Sequence, residues 1–397
     1  MFELRKHGPD GRYGAIFDIG SGSVGVAIVA SDPTQKHPEI IWSHRERMIF
    51  RDAGSANDRT KHITTALVNT MLMLGSKGLM VLQTHEKGAS IDLMQVAISA
   101  PWSYTITKSV SYTNNGAFVI TKQLIKELTN AAQKQALEAI NENDIVEKLG
   151  LKIITRATID FSANNYPARD AFGQKAKSVS ISHVSAISQN RLLEAITESK
   201  EKVIPGAVVE RYSFMLMFYC VLRELVPDTS EVCLIDITFE ATEIGIVRDG
   251  VLKYATHAPF GTYTIARDIA ALCDIPKEEA LAYILGNTAL SKTLSADKKA
   301  KLQSILTNYE EKITALFKRT GDSLSVPRPL FIHSDMRTEF FYADTIKRAA
   351  IEATKGEHGV HLVSSKLFEN TQTNDTALLL SAYFFHKMHA CDDFEQM

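Results

Sequence analysis

Two short stretches of the chain place the same residue types in the same order. Residues 15–30 read AIFDIGSGSVGVAIVA, and residues 234–247 read LIDITFEATEIGIV. In each, an apolar run ends in an aspartate (Asp18, Asp236), a small polar turn follows, and a second apolar run returns. Apolar runs this short, bounded by glycine, serine and threonine, are strands of a hairpin. The first turn has a chemical use. Gly20 and Gly22 let backbone N–H groups approach an anion, Ser21 and Ser23 add hydroxyl donors, and Asp18 is placed to hold a hydrated Mg²⁺. A plain Gly/Ser hairpin with no ligand stays open for this turn taken alone. Two aspartate-bearing hairpins in one chain point to two related halves meeting around a ligand.

The elements that must position these turns follow from the rest of the sequence. At 397 residues the chain is too long for one ordinary core, so two to four domains or subdomains are expected. Its 44 lysines and arginines nearly balance 46 aspartates and glutamates, which gives no global charge for nucleic acid. Cys220, Cys233, Cys273 and Cys391 show no CxxC spacing and read as thiols of a reducing compartment, with no disulfide frame or metal site. The first residues, MFELRKHGPDGRYG, lack the apolar core of a signal peptide, and no run of 18 apolar residues exists. A cytoplasmic location is the expectation.

A third strand is expected at 40–43 and a helix at 62–74, where Ile63, Leu67, Met71 and Leu74 share a face, with Gly75 and Gly78 as its stop. Residues 93–100 read as a buried strand ended by Pro101. Tyr104, Ile106, Lys108, Val110 and Tyr112 alternate as a half-exposed strand leading to an Asn-Asn-Gly turn at 114–116. Residues 117–190 read as a small α+β unit: a helix at 122–139 capped by Thr121, strands at 151–160 and 177–184, and a helix at 188–202. Residues 208–225 are apolar almost all round and read as one buried helix. Further helices are expected at 264–271, 277–285 and 296–319, the charges of the last forming a solvated face.

Taken together, FDIGSGSVGVAIV and LIDITFEATEIGIVRDGVLKYATHAPFGTYTIARDIA resemble the first and second phosphate loops of the actin-like ATPase superfamily. The second is most like the cell-division protein FtsA and its relative PilM of type IV pilus machines. Residues 96–136 and 164–184 resemble the inserted 1C (SHS2-type) subdomain of that group, and DTALLLSAYFFH at 375–386 its last connecting helix. The resemblance implies an α/β protein with two RNase H-like domains around a nucleotide cleft and an inserted small α+β subdomain. It divides the chain into 1–91 with 188–228, an insertion at 92–187, a second domain at 229–262 with 323–397, and a small helical subdomain at 263–322. It implies ATP and Mg²⁺ as cofactors, with Asp18 and Asp236 holding the metal through water. Gly20, Ser21, Gly22, Ser23, Thr238, Thr242, Gly261 and Ser334 would line the nucleotide, and Glu240 or Glu243 would orient a water.

Three departures lower the activity this implies. Thr238, Phe239 and Glu240 stand where the second loop is usually glycine-rich. Ser334 and Asp335 follow the strand at 330–333, where the adenosine motif carries Gly-Gly. The acidic tail CDDFEQM takes the place of a basic amphipathic helix, so a membrane role would run through a partner. The expectation is therefore an ATP-binding scaffold with at most weak ATPase activity. It would self-associate as a dimer or protofilament and, like FtsA, recruit partners such as an FtsZ-like protein at the division site; a PilM-like pilus-assembly platform bound to a pilus-machine protein, or a nucleotide-free interaction module of the same fold, is the alternative. Mg²⁺-ATP is expected to raise the melting temperature of the scaffold, and Asp18→Ala to abolish the rise.

Overall fold

The computed structural model describes residues 12–48, 56–141, 150–168, 171–286, 295–320, 325–368 and 373–390. The acidic tail, Cys391 and the first eleven residues lie outside these. Two five-stranded sheets repeat one plan. In the first, β1 (Arg12–Ile19), β2 (Ser23–Ser31) and β3 (Glu39–Arg47) run antiparallel, and β4 (Leu93–Ile98) and β9 (Val208–Ser213) add in parallel, in the order β3-β2-β1-β4-β9. In the second, β10 (Val232–Ile237), β11 (Thr242–Arg248) and β12 (Val251–Ala258) are joined by β13 (Pro329–Ser334) and β14 (Gly359–Leu362), in the order β12-β11-β10-β13-β14. Asp18 and Asp236 occupy matching places, one residue before the ends of β1 and β10.

Two helices pack at the junction of the sheets. Helix α5 (Phe214–Leu225) lies against β10 and β11 of the second sheet and against β4 and β9 of the first, while α10 (Thr376–Ala390) is exchanged onto β1 and β2 of the first. Both belong to one apolar layer that includes Ile16, Met215, Phe218, Leu234, Leu380 and Phe385. Glycines make room for them. A Cβ on Gly14 would fall 2.3 Å from the Phe385 ring, and one on Gly245 2.7 Å from Met215 Sδ. Gly14→Val therefore overpacks a closed layer and is expected to cost about 1–3 kcal/mol in urea denaturation, part of it recovered by Phe385→Leu.

The inserted unit is a four-stranded antiparallel sheet, with β5 (Ser103–Val119), β6 (Leu151–Ala163), β7 (Tyr166–Pro167) and β8 (Lys175–Gln189) in the order β5-β8-β6-β7. Helix α3 (Lys122–Asn141) covers it, and Leu124 N–H donates to Thr121 Oγ1 (3.1 Å), the cap the sequence indicates. The remaining helices are α1 (Ala56–Met73), α2 (Leu79–His85), α4 (Asn190–Val203), α6 (Thr262–Cys273), α7 (Lys277–Ile284), α8 (Ala296–Lys318) and α9 (Glu339–Thr354).

Four expectations are corrected. Residues 208–225 split into β9 and α5, because Ser213 takes an extended conformation and caps α5 by accepting from Leu216 N–H (3.4 Å). Gly75 and Gly78 do not stop the first helix. A π-helical turn, Leu74–Gly78, carries it into α2, the missing side chains letting Val203 and Trp42 pack close. None of Asn114, Asn115 and Gly116 takes the positive φ a tight turn needs, so β5 runs through them with a bulge. Strand β4 pairs within the first sheet, so the inserted sheet starts at Ser103 and not at 92. The run Arg59–His85 is long and apolar enough to cross a bilayer by length and composition, yet Ile63, Leu67, Met71 and Leu74 lie in the first domain's core.

Candidate functional site

Strand register dictates what surrounds Asp18. On the sheet, Asp18 pairs with Gly25, and Gly25 pairs with Arg45 on β3. Having no side chain, Gly25 lets the Arg45 guanidinium lie across β2; a Cβ there would sit 2.6 Å from Arg45 Nη2. Nη2 donates to Asp18 Oδ2 (2.8 Å) and to Asp375 Oδ1 (2.9 Å), Nε donates to Asp375 Oδ2 (2.6 Å), and Nη1 donates to Ser23 Oγ (2.8 Å). Asp375 precedes α10 and also accepts from Leu378 N–H (3.2 Å), so the exchanged helix is tied to both. Burial works against the charge of Arg45, but Asp375 and Asp18 hold its pKa above the ordinary value. Burial raises Asp18, with Arg45 opposing, whereas for Asp375 the attraction of Arg45 outweighs burial and the pKa falls.

The matching row in the second domain is Asp236, Glu243 and His257. Buried Asp236 Oδ1 accepts from His333 Nδ1 (2.8 Å). The His333 pKa is raised: burial opposes protonation, and the bond to Asp236 more than offsets it. Glu243 is buried, and burial together with the nearby Asp236 pushes its pKa far up. Its Oε2 is buried without a protein partner. Glu240 faces Arg59 of the first domain (3.7 Å).

The two loops are bonded directly to each other. Ser21 Oγ donates to Thr238 Oγ1 (2.8 Å) and accepts from Glu240 N–H (2.7 Å), while Thr238 Oγ1 donates to Ala100 O (3.0 Å). Each amide of residues 238–241 has a protein acceptor. Thr238 N–H donates to Ala241 O (2.8 Å), Phe239 N–H to Asp335 Oδ2 (3.2 Å), Glu240 N–H to Ser21, and Ala241 N–H to Thr238 Oγ1 (3.1 Å). The first amides of α6 are also engaged, Thr262 N–H with Thr238 O (3.2 Å) and Tyr263 N–H with Phe239 O (2.8 Å). Gly261 allows this approach, since a Cβ there would lie 2.2 Å from Thr238 O. Thr242 is buried and donates to Phe260 O (2.8 Å). Ser334 is held locally, its hydroxyl against Thr338 Oγ1 (2.7 Å) and its N–H on Glu339 Oε1 (3.0 Å).

The Phe239 side chain fills the space between the loops. Its ring packs on Tyr263 (centroids 4.8 Å apart), and a Cβ on Gly22 would meet Phe239 Cβ at 2.6 Å. Asp335 covers the other glycine, its Oδ2 3.0 Å from where a Gly20 Cβ would be. The cavity left beside this arrangement has a volume of about 230 Å³ and is lined by Ser23, Arg45, Arg47, Asp335, Arg337 and Asp375. That is below the roughly 300–1,000 Å³ of ordinary ligand sites. Asp236 Oδ2, Asp335 Oδ1 and His333 Nε2 are buried without a protein partner, as groups satisfied by ordered water are. Among the described residues no group of three or more His, Cys, Asp or Glu is placed to hold a metal.

Sequence reading found Asp18, Ser21, Asp236 and Thr238, which the fold brings to the junction of the two halves. It missed Arg45, His333 and Asp375, and its roles for Glu240, Thr242 and Ser334 do not match their bonding. The residues present do not fit a Mg²⁺-nucleotide: the aspartate that would face the metal already faces a guanidinium, and the second loop's amides are spent.

Burial and the nearby Asp236 raise the Asp335 carboxyl to about 8. An acid whose folded pKa exceeds its unfolded one, about 3.9, contributes stability below pH ~4 that is lost as pH climbs through 8. Asp335→Asn keeps an acceptor for Phe239 N–H and removes the titration. The variant is expected to gain on wild type as pH rises from 4 to 8 in thermal melts, with no such trend below 4.

By sequence, no family model and no curated protein matches the chain. Solved structures do match. The chain has the actin-like ATPase fold, with two RNase H-like domains and an inserted antiparallel sheet. It superposes on a structure titled the PilM–PilN type IV pilus biogenesis complex with a TM-score of 0.59 and 12% identity, covering 96% of this chain and 99% of that one. Ethanolamine utilization protein EutJ from Carboxydothermus hydrogenoformans matches with a TM-score of 0.44 and 10% identity (96% and 92% covered). A Bacteroides thetaiotaomicron protein of actin-like ATPase fold and unknown function matches at 0.45 and 11% (93% and 95%).

Proposed function

We propose that this chain is a PilM-like platform subunit of a pilus-type assembly machine, acting in the cytoplasm by holding protein partners. The observation that carries the reading is the superposition over nearly the whole of both chains, inserted sheet included. That relative was solved in a complex with PilN, so a PilN-like protein is the partner class we assign here. Contact with a membrane would then be indirect, and self-association would serve the assembly. Catalysis has no part in this reading, which assigns the protein a holding role. Division-site recruitment in the manner of FtsA, the main expectation from the sequence, has no observation of its own in favour.

Size-exclusion chromatography with light scattering tests the reading, using the purified chain mixed with a PilN-like or an FtsZ-like protein from the same cell. A stable complex with the former alone is expected. A complex with the FtsZ-like protein alone, or with neither, overturns it.

A further inference from the structure

We propose that this protein supplies its own counter-ion and plug where its fold class would hold a Mg²⁺-nucleotide, so that the two domains stay closed with no nucleotide bound. Three observations converge. Arg45 sits between Asp18 and Asp375 with four donor contacts, the work a divalent cation would do for the first-loop carboxylate. A Mg²⁺ brought to Asp18 would have to displace that guanidinium or endure its repulsion at contact range. Phe239 places a ring on Gly22, where a phosphate loop needs open space against its backbone. The amides of residues 238–241 and the first amides of α6 point at protein acceptors, so the second loop's donors, which would spread phosphate charge, are occupied.

The parts also support one another. Gly25 has no side chain, so Arg45 crosses β2 to Asp18; Asp375 anchors the guanidinium from the exchanged helix; Ser21 joins first loop to second; Asp335 joins the second loop to β13. These contacts join β3, the first loop, α10, the second loop and the end of β13 at the cleft. The inserted unit adds a tie outside it, Tyr104 of β5 standing edge-on to His257 of β12 (4.3 Å). The inference is independent of which partner the platform holds.

The test is a thermal melt of the purified chain with millimolar Mg²⁺-ATP or Mg²⁺-ADP, against Mg²⁺-pyrophosphate at equal ionic strength. A nucleotide bound at one hundred times its Kd would raise Tm by roughly 3 °C for a chain of this length. No rise is expected. A saturable rise that Asp18→Asn removes overturns the proposal. The positive arm is chemical rescue. Arg45→Ala lowers Tm, and millimolar guanidinium ion is expected to restore part of the loss where Mg²⁺-ATP does not. Restoration by Mg²⁺-ATP and not by guanidinium overturns the proposal. If Arg45→Ala does not fold, the wild-type melt decides alone.

Discussion

Arg45→Ala is expected to lower stability by about 3–5 kcal/mol, the cost of leaving a buried charge without its partner. The side chain is 17% exposed and serves two aspartates, Asp18 being almost fully enclosed. Removing the guanidinium leaves two carboxylates facing each other in a poorly hydrated place, where they repel and must take up protons to remain. The loss should thus be smaller at pH 4 than at pH 7, as protonation relieves the variant. Asp18→Asn added to Arg45→Ala removes one of the stranded charges. It should recover part of the loss, although Asp18→Asn alone is destabilising. Urea denaturation of the four proteins at the two pH values measures this coupling directly. Equal losses for Arg45→Ala in the presence and absence of Asp18 would break the argument.

Phe239→Ala should cost about 3–5 kcal/mol, the range for truncating a buried aromatic ring. The ring is 2% exposed and contacts both the Gly22 backbone and Tyr263, so the cavity would open between the two domains. Gly22→Ala is the complementary change. Its Cβ meets Phe239 Cβ at 2.6 Å in wild type, so the single variant should also be destabilised. Phe239→Ala keeps the Cβ and removes only the Cγ (2.7 Å) and Cδ1 (3.2 Å) contacts, so room for the added methyl needs Phe239→Gly. Gly22→Ala with Phe239→Gly should be more stable than the sum of the two losses. Residues in direct contact show such couplings, commonly 0.5–3 kcal/mol. Strict additivity would mean that the ring lies elsewhere.

The aspartate-ended hairpins were legible because local sequence determines them: two short apolar runs, an aspartate and a small turn, given twice. What surrounds them was not. Arg45 lies beyond the 40–43 strand the sequence marks, and it reaches Asp18 only through a row across three strands that register alone reveals. Asp375 is 330 positions from Arg45 and reads locally as the start of a helix. Phe239 was legible as a departure from a glycine-rich loop, while its destination against Gly22 depends on the second domain. The 208–213 strand reads as helix in the sequence because it runs with no glycine or proline into the apolar residues of α5, although it is a half-exposed edge strand.

Amide hydrogen exchange at Phe239 and Glu240 in the nucleotide-free protein tests the closed cleft most directly. Glu240 N–H donates across the interface to Ser21, and Phe239 N–H donates to Asp335 within the second domain. They should exchange only with large-scale opening, at rates close to those of the β10 core, and Mg²⁺-ATP should leave those rates unchanged. Rapid exchange of both amides that slows when Mg²⁺-ATP is added would show an open site waiting for its nucleotide, and would contradict the account.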